Sequence, residues 1–163
     1  MAITAGQNIH AADLNALVGL TSRLDADTSP VNNSTTLVNT GLVVALVANV
    51  VYRIDLCLIY DTSAAADFKF NITLPAGATA GEAQWGFSNT TAAADGTMFR
   101  AYNTGAGDSS GGVSLGTILM MCPILIVRTA GTAGNATVQF AQNTATAVNT
   151  VLKKDSHIIA RLL

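Results

Sequence analysis

Between residues 107 and 112 the chain reads Gly107-Asp108-Ser109-Ser110-Gly111-Gly112. This fits the G-x-S-x-G spacing of a nucleophile elbow and lies one inserted serine away from the Gly-Asp-Ser-Gly-Gly run around a serine-protease nucleophile. Chemistry at such a serine needs a general base within hydrogen-bonding reach and an acid to orient that base. The only histidines are His10 and His157, far from the motif in sequence and close to the two ends of the chain. An elbow also turns from a strand into a helix, whereas the residues after Val113 read as a strand. A flexible Gly/Ser loop accounts for the motif, so no catalytic residue is expected.

The remaining reactive side chains are few. Asp25 and Asp27 share a turn-like stretch, while Asp61, Asp67 and Asp95 sit among Ala, Thr and Gly, where aspartate usually satisfies turn backbone. A calcium site from Asp61 and Asp67 lacks EF-hand or repeat spacing. Two histidines and the widely separated Cys57 and Cys122 make no zinc motif, and no phosphate-cradling glycine pattern occurs, so no metal or cofactor is expected. Both cysteines lie in apolar runs and read as small buried hydrophobes, with a disulfide between them left open. Trp85, Phe87, Phe99, Tyr102 and Tyr60 could form a sugar-binding platform, but a chain this poor in aromatics needs them in its core.

What must position these residues is one domain, since 163 residues suffice for a substantial core. Half of the residues are apolar and only 11% are charged, against roughly a quarter in ordinary soluble domains. No apolar run approaches the ~20 residues of a spanning helix, so the low charge does not point to a membrane. The formal net charge is −2 and the basic residues are scattered, which excludes the cationic stripe that nucleic acid requires. The first residues lack a basic segment followed by an apolar one, so synthesis and assembly in the cytoplasm are expected. A weakly charged, sticky surface is then expected to be buried against other protein.

Two regions differ in period. In residues 11–24, Leu14, Leu17, Val18 and Leu20 fall at helical spacing, with Asp13 in the first turn. The stretch from Asp25 to Pro30 then reads as a breaker, so residues 1–28 are expected to form an arm and 29–163 a body. In the body the period is two: Tyr52, Ile54, Leu56, Leu58 and Tyr60 share one face, as do Phe68, Phe70, Ile72 and Leu74, and Ala136, Val138 and Phe140. Glycine- and asparagine-rich stretches separate about eight or nine such strands. The expected fold is all-β, an antiparallel β-sandwich of jelly-roll type preceded by a short helical arm.

Residues 42–48 and 118–127 are apolar on both faces, where a two-layer sandwich leaves one face wet. Leu42, Val44, Leu46, Ile118, Met120, Ile124 and Ile126 are therefore expected to meet another subunit. Pro123 interrupts the second run and implies an edge or a bulge there.

Three stretches taken together resemble tailed-bacteriophage virion proteins. Ile3-Thr4-Ala5-Gly6-Gln7, followed by His10-Ala11-Ala12-Asp13-Leu14-Asn15, is similar to the opening segment of many of them. Ala48-Asn49-Val50-Val51-Tyr52-Arg53-Ile54, running on through Tyr60-Asp61 and Asp67-Phe68-Lys69-Phe70 to Leu74-Pro75-Ala76-Gly77, looks like a strand unit of their sandwich domains. Thr129-Ala130-Gly131-Thr132 with Val138-Gln139-Phe140-Ala141-Gln142-Asn143 resembles their closing hairpin. Where such proteins often carry Gly-Ser-Tyr before the last strand, this chain has Asp155-Ser156-His157.

The resemblance implies a jelly-roll body, often trimeric, attached to a capsid or tail by its amino-terminal segment. The expectation is a non-enzymatic virion structural protein, most specifically a capsid decoration or head-fibre protein. It would pair with itself and dock on the major capsid protein through Ile3, Leu14, Leu17, Val18 and Leu20. The alternatives are a tail or baseplate protein that binds a host receptor through loops near residues 64–67, 92–96 and 105–111, and a carbohydrate-binding module built on Trp85.

Overall fold

A computed structural model of the chain describes residues 19–80, 83–84, 99–100 and 108–163. These form β1 (Leu20–Arg23), β2 (Val31–Asn32), β3 (Val38–Leu46), β4 (Val51–Asp61), β5 (Phe68–Thr73), β6 (Thr79–Ala80) and β7 (Ala83–Gln84). There follow β8 (Phe99–Arg100), β9 (Asp108–Ser110), β10 (Ile118–Met121), β11 (Ile124–Arg128), β12 (Gly134–Gln142), β13 (Asn149–Leu152) and β14 (His157–Leu162). Among the described residues the fold is all-β, in two antiparallel sheets. The small sheet runs β3-β12-β5-β9. The large sheet is organised around β4, the longest strand, flanked by β14 and β13 on one side and by β11 and β10 on the other.

The period-two pattern predicts the inner faces correctly. Tyr52, Ile54, Leu56, Leu58 and Tyr60 of β4 are buried, as are Phe68, Phe70 and Ile72 of β5 and Ala136, Val138 and Phe140 of β12. Alternation places every second side chain between the sheets, where each large apolar group contributes roughly 1.5–3 kcal/mol. Tyr60 stacks on Phe68 with ring centroids 4.3 Å apart, joining the two sheets. The interruption in β3 is repaired locally. The Thr40 hydroxyl donates to the Val138 carbonyl at 2.8 Å and accepts from the Leu42 amide at 3.0 Å, and Gly41 takes a φ of +91°.

The expected helix over 11–24 fails at its carboxyl end. Leu20–Arg23 is a strand, paired with β14 in the register Leu20↔Ala160 to Arg23↔His157. Gly19, at φ +81°, brings the chain onto that edge, and a Cβ there would lie 3.0 Å from the Ala160 carbonyl oxygen. Leu20 matches a helical spacing, but an open sheet edge offers its backbone a ladder of hydrogen bonds and its side chain a place against the core. The expected arm boundary at residue 28 therefore moves. Residues 20–28 belong to the body, with Thr28 exchanging hydrogen bonds with Leu152 and the Asp27 carboxylate accepting from the Lys154 amide. The rest of the expected helix, with Ile3, Leu14, Leu17 and Val18, lies outside the described residues.

Before the last strand, Asp155 takes a φ of +69°, the left-handed conformation that glycine adopts most readily. Its carboxylate pairs with Arg23 of β1, so a charged residue at this turn also ties the amino-terminal strand to β14. Ser156 is fully buried, and its hydroxyl accepts from the Ile59 amide at 2.9 Å.

Candidate functional site

The described part of the Gly/Ser motif begins in a strand. Asp108–Ser110 is strand β9, antiparallel to β5, and no helix follows it. Ser110 is buried and its hydroxyl accepts from the Tyr60 phenol at 2.8 Å. Burial pushes the Tyr60 hydroxyl above its ordinary pKa, so it remains a donor. Gly112 is required by close approach, since a Cβ there would fall 2.2 Å from the Ser63 carbonyl oxygen. His157 lies on the other sheet, its Nδ1 3.0 Å from the Asp155 carbonyl oxygen. His10 lies outside the described residues.

Asp61 and Asp67 act on backbone, as loop-tip aspartates commonly do. Asp61 accepts from the Gly116 amide at 3.0 Å, and Asp67 from the Gly112 amide at 2.9 Å. Among the described residues, no group of three or more His, Cys, Asp and Glu side chains is placed to hold a metal ion. The tip at residues 64–67 is partly internal, with Ala66 buried and the Ala66 carbonyl accepting from the Thr144 amide. Trp85, Phe87 and Tyr102, with residues 92–96 and 105–107, lie outside the described residues. Tyr60 belongs to the core, not to a platform.

The surface that stands apart is the outer face of the large sheet. Odd-numbered residues of β4 point outward, and cross-strand register arranges them with their neighbours in rows. Ile118, Asp61 and Val151 form one row, Met120 and Ile59 the next. Further along come Ile124, Asp55 and Ile159, then Ile126, Arg53 and Arg161. Ile118 is 59% exposed and Met120 61%. Val113 and Leu115, in the loop leading into β10, are exposed as well. An ion-paired cluster, Asp55 with Arg53 and Arg161, lies at the far end, and Asp61 lies at the near end, where its carboxylate accepts from the Gly116 amide. The patch is thus a band of aliphatic side chains on a rigid sheet, bordered by an ion-paired cluster.

The seven residues expected at a subunit contact divide between the two sheets. Leu42, Val44 and Leu46 are buried in the core of one chain, so the expectation that they face a partner is corrected. They belong to the inward set of β3, while Val43, Ala45 and Val47 take the outward positions. Ile118 and Met120 are exposed, and Ile124 and Ile126 are half-buried on the same outer face. Pro123 sits between β10 and β11 without a register shift, because Met121↔Leu58 and Ile124↔Asp55 continue one alignment. Of the edge or bulge expected there, the edge is found: β10 pairs only with β4 among the described residues, and no bulge breaks the alignment.

The cysteines depart most from expectation. Cys57 is half-buried and Cys122 is exposed, so neither is a buried core residue. Comparison with protein-family models, curated proteins and solved structures finds no match to this chain.

Proposed function

We propose that the chain is a non-enzymatic structural protein that works by self-association, and that its setting is a bacteriophage particle. In this reading its body is a jelly-roll-like sandwich, assembled in the host cytoplasm as a trimer through the outer face of the large sheet. The segment before residue 19 docks on the major capsid protein, as in a capsid decoration or head-fibre protein. The observation that carries self-association is the exposure of Ile118 and Met120 beside Ile59, Ile124 and Ile126 on one ordered sheet face. A second copy that covers such a face removes apolar surface from water at roughly 25 cal/mol per Å² without having to order a loop. Many symmetric copies then turn a weak docking contact into avid attachment. The phage setting rests on the sequence resemblance.

Two measurements test the reading in separate parts. Sedimentation of the purified chain is expected to give an oligomer, and a monomer at high concentration would refute self-association. Deletion of residues 2–18, which leaves β1 intact, is expected to give a folded oligomer that no longer co-sediments with particles. A truncated chain that still joins particles would refute attachment through the amino-terminal segment.

A further inference from the structure

Cys57 and Cys122 are the only cysteines of the chain, 65 positions apart in sequence. The alignment of β4 with β10 continues unbroken into its alignment with β11, pairing Met121 with Leu58 and Ile124 with Asp55. Carried across the two intervening residues, it sets Cys122 directly opposite Cys57. The Leu56 amide donates to the Pro123 carbonyl at 2.9 Å, so Leu56 and Pro123 occupy a hydrogen-bonded position and the cysteines the adjacent non-hydrogen-bonded one. At such a position Cα atoms are about 4.5 Å apart, at the short end of the range a disulfide spans. Both side chains point to the outer face, Cys57 half-buried and Cys122 exposed.

We propose that Cys57 and Cys122 form a reversible cross-strand disulfide, made by exchange with a small-molecule disulfide, that staples β4 to the β10–β11 segment. The location gives the staple a purpose. Pro123 has no amide hydrogen, so the ladder lacks a hydrogen bond beside the two cysteines, where β10 is held to the sheet by β4 alone among the described residues. The order of attack follows from exposure. The Cys122 thiolate attacks one sulfur of the small disulfide, releases one small thiolate and leaves a mixed disulfide on Cys122. The Cys57 sulfur, its proton passing to the released thiolate, then attacks Cys122 Sγ and expels the second small thiolate. Two protein thiols are oxidised, one small disulfide is reduced to two thiols, and the protons balance. Burial, with the adjacent Cys122, pushes the Cys57 thiol up to about 11, which suits it to the second, intramolecular step rather than the first. Cys122 is exposed, so a small thiol reaches the bond and can reduce it again.

The bond lies within one chain, but Cys122 sits on the outer face that the proposed function covers, so the test also uses a variant that opens that face. The test equilibrates the full chain with glutathione disulfide and follows mass and unfolding midpoint. The expected product has lost two hydrogens, carries no adduct, runs as a monomer on a non-reducing denaturing gel, and unfolds at higher urea than the reduced chain. Reductant should reverse both changes. In Cys57→Ser, Cys122 should instead hold a stable glutathione adduct, because nothing resolves it. The Met120→Asp variant is oxidised alongside, so that an assembly that covers Cys122 is distinguished from a pair that cannot close. Oxidation of either form to the intramolecular product supports the pair. Two free thiols in both forms, a persistent adduct on the chain with both cysteines, or a disulfide between chains overturns it.

Discussion

The two sheets turn opposite kinds of surface outward. On the small sheet, side-chain amides form a ladder across three strands. Gln139 of β12 donates to Asn39 of β3 at 2.9 Å and accepts from Asn71 of β5 at 3.2 Å. On the large sheet the corresponding positions carry Ile59, Ile118, Met120, Ile124, Ile126 and Ile159, with charge at the two ends, Asp61 at one and Asp55 with Arg53 and Arg161 at the other. The inner faces are alike, so the difference is not one of core. A face lined with amides satisfies itself, even where, as at Asn71, it is covered, whereas an aliphatic face of this extent gains only when something covers it. Low overall charge therefore has a specific address on this molecule.

The largest expected effect contrasts inner with outer. Leu46→Ala should cost about 2–5 kcal/mol in urea unfolding, because it opens a cavity between the sheets. If that loss instead appears only as dissociation of an otherwise stable chain, the assignment of β3's apolar residues to the core is wrong. Next comes the outer face of the large sheet. Met120→Asp should weaken self-association about thirtyfold, corresponding to about 2 kcal/mol at a hot spot. The unfolding free energy of the same variant should move by no more than about 0.5 kcal/mol. Sedimentation equilibrium reads the first and denaturant titration the second. A large stability loss with unchanged association would reverse the roles given to the two faces.

On the small sheet, Gln139→Ala should lower stability by about 1 kcal/mol through the loss of its side-chain hydrogen bonds, with association untouched. Any change in oligomeric state there would bring the amide ladder into the contact. The smallest effect is at the amino-terminal connection. The hydrogen bond from Lys153, followed by the Lys154 amide, holds the Asp27 carboxyl below the usual carboxylate range. A depressed folded-state pKa contributes stability above the unfolded value near 3.8, and that contribution disappears as pH falls through the folded value. The unfolding midpoint of the natural chain should therefore fall slightly more than that of Asp27→Asn on acidification below pH 3.8. Parallel curves would show that the ion pair adds nothing.

Legibility in the sequence varied with the pattern available. In β4, Arg53, Asp55 and Asp61 fall on the face opposite Tyr52, Ile54, Leu56, Leu58 and Tyr60, so one face declares itself and burial follows. In β3 the residues from Leu42 to Val47 are apolar on both sides, and alternation alone cannot say which set faces inward. The buried set proved to be the one assigned to a subunit contact. Leu20 was misplaced for a related reason. Its spacing from Leu17 satisfies a helix, while the strand it joins depends on an edge of β14 more than a hundred residues away. The outward place of Cys57 was legible in the alternation of β4, which sets it with Arg53 and Asp55, whereas Cys122, in a run apolar on both faces, had no such signal.

By itself the sequence determined the all-β character of the described residues, the inward faces of the strands that alternate, and the shortage of charge. Local period and composition suffice for these, since each depends only on neighbours along the chain. Tertiary structure alone decided which apolar face stays outside, that residues 20–28 belong to the body, and that two cysteines 65 positions apart stand side by side. Those outcomes depend on strand register across the sheet, which is set by the packing of the whole core and not by any segment read alone.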